Sequence, residues 1–143
     1  MDWKQEAVKK LKQLEAKRNS LQNIRAEIAE LEADAVSLRG AATDKERISG
    51  GQGSDALLNN IMRRGELEEA AQTVQRWIDR VETALNQLTE EERQVLELMY
   101  VDHKKGSPDR ACEVLHIEMA TVYRRRDTAL EALTRNLYGV IET

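Results

Sequence analysis

One cysteine, one proline, no phenylalanine and only 3% aromatics in 143 residues limit what this chain can be. With Cys112 alone no intrachain disulfide can form, and adding His103 and His116 still leaves too few ligands for zinc, so neither a metal nor a cofactor is expected. So few aromatics are poor material for a thick globular core, whereas 34% charged residues suit long helices, and the expected fold is all-α and elongated. No run of about 18 apolar residues is present, and Met1-Asp2-Trp3-Lys4 lacks the basic and then apolar layout of a secretion signal. A cytoplasmic protein without a membrane partner is expected. The two histidines and the cysteine stand in no recognised nucleophile, base and acid arrangement, so no catalytic residue is nominated and an enzyme is not expected.

Between Asp2 and Leu38 there is neither glycine nor proline, and Leu14, Leu21, Ile28 and Ala35 recur every seven residues, with Ile24, Leu31 and Leu38 three positions behind. That is the seam of a coiled coil, interrupted at Lys17 and weakening toward Trp3. The stretch from Asp55 to Gln87 carries Leu57, Leu58, Ile61, Leu67, Ala70, Val74, Trp77, Ile78, Val81 and Leu85 at helical spacing. Residues 39–54, with Gly40, Gly50, Gly51 and Gly53, read as a linker able to reverse the chain. The G-G-Q-G-S stretch is not read as a phosphate-binding loop, because no apolar strand precedes it and no Lys-Ser or Lys-Thr follows. A coiled-coil helical hairpin over residues 1–87 is expected. The same stripes can also pair between two chains, so a homo-oligomer is an expected partner state. Trp77 reads as core; Trp3 is open between packing and a partner-facing anchor.

The tail, residues 88–143, carries the most specific pattern. Thr89-Glu90-Glu91-Glu92 predicts a capping box and a helix starting at Glu90, with Val95, Leu96, Leu98, Met99, Tyr100 and Val101 on its buried side. Asp102 to Gly106 ends it. Ser107 then reads as a cap and Pro108 as the first residue of a second helix, where its missing N–H costs nothing. Cys112, His116 and Val122 occupy the small contact position, the turn position and the β-branched position of a helix-turn-helix. The turn position favours glycine because it calls for positive φ, which histidine tolerates better than most residues. A third helix opens between Glu118 and Thr121 and carries Arg124, Arg125 and Arg126.

From Leu88 to Leu137 the chain resembles region four of bacterial sigma factors, with S-P-D-R-A-C-E-V-L-H-I-E-M-A-T-V-Y-R-R-R following its second and third helices without a gap. Together with the two long helices and the glycine linker, nearly the whole chain resembles phage and prophage transcriptional regulators of the ArpU and RinA type. The resemblance implies sequence-specific binding of double-stranded DNA by the third helix, with RNA polymerase as a second candidate partner. It implies that Met119, Ala120 and Arg124, with Tyr123 beside them, face base edges, and that Thr121, Arg125 and Arg126 face phosphates. Met119 and Ala120 stand where primary sigma factors carry charge, so their promoter preference is not carried over. A guanidinium can bond guanine O6 and N7 together, which makes Arg124 the strongest base reader. The net charge of −4 splits into +2 between Lys104 and Asn136 and −6 elsewhere, so DNA contact is expected in the tail alone. The rival expectation is a coiled-coil adaptor or assembly protein whose tail binds RNA polymerase or another phage protein.

Overall fold

The computed structural model describes residues 1–45, 52–102 and 106–139, with side chains at 1–40, 54–102 and 106–139. These residues form five α-helices and one π-helical turn, with no strand among them: α1 (Trp3–Lys45), α2 (Gln52–Asn86), α3 (Glu90–Leu96), the π-helical turn (Glu97–Val101), α4 (Ser107–Leu115) and α5 (Met119–Tyr138). The fold is all-α. Gly40 and Gly53 lie within α1 and α2, so the helices reach into the expected linker from both sides. Gly50 and Gly51, like His103, Lys104 and Lys105, fall outside the described residues.

The chain divides into two compact units, one of residues 1–18 and 77–143, the other of residues 19–76. This differs from a division between 87 and 88, because the start of α1 and the end of α2 pack with the tail. In the second unit, the residue pairs joining α1 and α2 run in opposite directions along the chain. Asn60 donates from Nδ2 to the Leu31 carbonyl at 2.8 Å, Arg63 lies 3.3 Å from Glu27, and Arg25 donates to Gln75 at 2.7 Å. The helices are therefore antiparallel there. Leu21, Ala35, Leu67 and Ala71 are buried, and Ile28, Leu31 and Leu38 are partly so, as the heptad spacing requires.

The apolar row of α2 departs from the expected one. Leu58 and Ile61 are 54% and 46% exposed, Ala70 is exposed, and the inward place between Leu57 and Leu67 is taken by Asn60. Asn60 is buried because its amide is satisfied at both ends, donating to Leu31 and accepting from Arg64 Nε at 2.8 Å. A buried, satisfied asparagine on a helix seam fixes register at some cost in stability.

In the first unit, Ala7, Leu11 and Leu14 of α1 and Ile78, Val81, Ala84 and Leu85 of α2 are buried, as are Val95, Leu96, Met99 and Val101, Ala111 of α4, and Val122, Ala129, Leu130 and Leu133 of α5. The buried row of α1 thus continues to its N-terminal turns. Lys17, the break in the heptad seam, sets its ammonium 5.3 Å from the centroid of the half-buried Trp77 ring, so the stem packs while the charge rests on a π face. Trp3 packs against Tyr138 with centroids 4.7 Å apart, which gives it an internal role. Asn136 donates to the Ala84 carbonyl at 3.1 Å and ties α5 to the end of α2.

Candidate nucleic-acid interface

Three short-range devices set the pose of α5. The first is the cap of α3: Thr89 Oγ1 accepts from the Glu92 N–H at 3.2 Å, and Glu92 Oε1 accepts from the Thr89 N–H at 3.0 Å, closing the capping box in both directions. The second is the start of α4. Gly106, at φ 81°, occupies the cap position and Ser107 is the first helical residue, so the helix begins one residue earlier than the sequence suggests and Ser107 is buried instead of capping. A left-handed glycine turns the chain into the helix without a side-chain cap. The third device is His116, the only non-glycine residue with positive φ among the described residues, at φ 57° and ψ 44°. It ends α4, with its N–H donated to the Cys112 carbonyl, and three residues later α5 begins.

The inner face of α5 is held by Val122, Ala129 and Leu133, each with no exposed surface. At α4 the fully buried small residue is Ala111, while Cys112 is half-buried with its thiol 3.9 Å from Met119 Sδ. The expectation of a buried Cys112 at the helix contact is thus shifted by one position. α3 and α4 both pack on α5, and the π-helical turn packs on α3 and α4. Because successive residues turn by about 100°, fixing Val122 inward turns Ala120, Tyr123 and Arg124 outward.

The seven residues read as a DNA-contacting set therefore separate. Ala120, Tyr123 and Arg124 are exposed, and among the described residues Arg124 donates only to Thr121 Oγ1, at 3.3 Å, on its own helix. Met119 and Thr121 are half-buried at the edge of this face. Arg125 reaches toward Glu91 of α3, at 3.9 Å. Arg126 donates to Asp127 and lies against the ring of Tyr123. Partial burial works against the Arg126 charge, but the hydrogen bond to Asp127 and the fields of Tyr100 and Asp127 hold it charged more firmly than a free guanidinium. Two further residues share the exposed face and were not singled out in the sequence, Asp127 and Thr128. The i, i+3, i+4, i+7, i+8 spacing from Ala120 was the signal for both.

The face from Ala120 to Thr128 is about 12 Å long at 1.5 Å per residue, matching the roughly 12 Å width of a major groove. Asp127 would repel phosphate, but its pairing with Arg126 offsets that charge. Among the described residues, no group of three His, Cys, Asp or Glu side chains is placed to hold a metal ion, and no helix is long and apolar enough to cross a membrane. Comparison with protein-family models, with curated proteins and with solved structures gave no match.

Proposed function

We propose that this chain is a sequence-specific DNA-binding transcriptional regulator of the ArpU and RinA type, a cytoplasmic phage or prophage protein that inserts α5 into the major groove. One observation carries the reading: Arg124, Tyr123 and Ala120 share an exposed face of a helix whose opposite side is locked by Val122, Ala129 and Leu133 and whose entry is set by the left-handed turn at His116. In this reading α4, the turn and α5 act as a helix-turn-helix. Arg124 forks onto guanine O6 and N7, the Ala120 methyl meets a thymine methyl, and the ring of Tyr123 packs at the groove wall. Arg125 lies beside this face as a phosphate contact.

A two-fold operator would be read by two copies, paired through the long helices so that their α5 helices enter successive turns of the groove about 34 Å apart. RNA polymerase is the second proposed partner.

The test is binding of the full chain to labelled duplexes drawn from phage promoter regions, followed across a salt series. The reading expects tight, salt-sensitive binding to a subset of sequences, with that preference lost in Arg124→Ala. Absence of any duplex binding at low salt, together with capture of RNA polymerase, would replace it with the adaptor reading.

A further inference from the structure

The N-terminal turns of α1 hold a second cationic surface, which meets α5 at Leu130. Lys4, Lys9 and Lys12 line a groove of about 560 Å³ that also contains Val8 and Leu130, with Gln5 and Gln13 as the remaining polar lining. No carboxylate lines it. Other cations of the same helix are engaged within the fold: Lys10 lies 5.4 Å from the centroid of Tyr138, Lys17 rests on Trp77, and Arg18 donates to Glu82 at 2.9 Å. Lys9 and Lys12 are exposed and make no ion pair with any described residue.

The groove's place on α5 identifies its occupant. Leu130 is seven residues after Tyr123, and Glu131 is seven after Arg124, so both lie two turns further along the same side of α5, about 10.5 Å away. Lys4 pairs with that Glu131 at 3.3 Å, which fastens the lysine-bearing turns of α1 below the outward face. A duplex whose major groove, about 12 Å wide, is centred on Arg124 carries its bordering sugar-phosphate strand within reach of those turns. Lys9 and Lys12 offer two point charges and the glutamines offer neutral donors, a set that suits phosphodiester oxygens and reads no base.

We infer that the groove formed by Lys9, Lys12 and Lys4 beside Leu130 seats the phosphodiester backbone of the same DNA duplex that α5 enters. This rests on the DNA-binding reading above and extends the contact from the tail to the first turns of α1. The groove supplies affinity and orientation; α5 supplies sequence preference.

The experiment follows duplex anisotropy across a salt series for the full chain, for Lys9→Gln/Lys12→Gln, for Lys9→Arg/Lys12→Arg and for Arg124→Ala. Both lysines are exposed and unpaired, so these changes leave the fold intact, as circular dichroism and urea unfolding would verify. The glutamine pair should weaken preferred and unrelated duplexes equally, roughly tenfold near 0.1 M salt, and reduce the slope of log affinity against log salt by about two. The arginine pair should keep wild-type affinity and slope. Unchanged slope in the glutamine pair, with sequence preference still lost in Arg124→Ala, would overturn the groove and leave the reading of α5 standing. Equal loss in the glutamine and arginine pairs would overturn it too, since charge would not be the agent. Failure of the wild-type chain to bind any duplex would remove both.

Discussion

The guanidinium carbon of Arg126 lies 4.8 Å from the centroid of the Tyr123 ring, while Nε and Nη2 donate to Asp127 Oδ1 at 3.0 and 2.8 Å. One arginine of the triplet is thereby drawn back onto its own helix, and its neighbour Arg124 is left facing outward. Arg126→Ala should lower the unfolding free energy by about 0.5–1 kcal/mol, the range of a partly exposed cation–π contact, as read from urea midpoints. An unchanged midpoint would mean that the contact contributes nothing.

Arg124 and Arg125 should behave differently from Arg126 and from each other. Arg124→Ala removes no tertiary partner, so stability should stay within about 0.5 kcal/mol, whereas binding to a preferred duplex should weaken by about 1–3 kcal/mol. Arg125 lies 3.9 Å from a largely exposed Glu91, a pair of little energetic weight in water. Arg125→Ala should weaken all duplexes alike and lower the salt slope by about 0.9. Competition assays with preferred and scrambled duplexes separate the two patterns.

The cap of α3 offers a stability test independent of DNA. Thr89→Ala deletes the hydroxyl that accepts from the Glu92 N–H and leaves only the return half of the box, in which Glu92 accepts from the backbone N–H of residue 89. A loss of about 1 kcal/mol is expected in urea unfolding. Because α3 packs on α5, the loss should appear in the global transition and not as local fraying alone. Thr89→Ser, which keeps the acceptor, should remain close to wild type.

Where the determinants are local, the fold was legible in the sequence. Thr89 and Glu92 are three residues apart and need nothing else, and His116 is marked by its spacing from Cys112 and Val122. The start of α4 shifted by one because a left-handed Gly106 took the cap position, and a backbone angle leaves no apolar pattern to read. In α2, periodicity gave a helix but could not tell the side carrying Leu58 and Ile61 from the side carrying Asn60, since the Asn60 partner, Leu31, lies on another helix. The arginine triplet could be seen to diverge, at 100° per residue, yet its sorting was set by Glu91 and Asp127. Summing charge by segment concealed the α1 lysines, because Asp2, Glu6 and Glu15 offset them in the sum although none of these carboxylates lines the groove.

His116 stores strain that substitution should release. A non-glycine residue in the left-handed region costs roughly 1–2 kcal/mol, and glycine avoids this while losing about 0.5–1 kcal/mol of unfolded-state advantage. His116→Gly should therefore stabilise the protein modestly, by roughly 0.5 kcal/mol, and His116→Val should destabilise it by more than that, since a β-branched side chain fits this region worst. The exposed imidazole has no buried contact to lose, so the backbone alone sets the sign. Thermal unfolding of the two variants would check the order.

Tyr100 gives a pH dependence whose sign follows from its surroundings. Burial raises its phenol above the ordinary value near 10; Arg126 pulls it down, by its charge and by a hydrogen bond, and Asp127 pushes it up, with a net rise. The neutral phenol is favoured in the folded state, so on raising the pH the unfolded chain ionises first and binds fewer protons than the fold. Stability is then fully present below about pH 10 and is lost as the pH climbs toward the higher folded value. Tyr100→Phe, which cannot ionise, should lack this component, so the wild type should fall faster than the variant as the pH is raised above about 10 in urea unfolding. Parallel curves would mean that the ring is not held away from water beside Arg126. Arg126→Ala removes the one group that favours the phenolate, so it should raise the Tyr100 value further and steepen the alkaline loss.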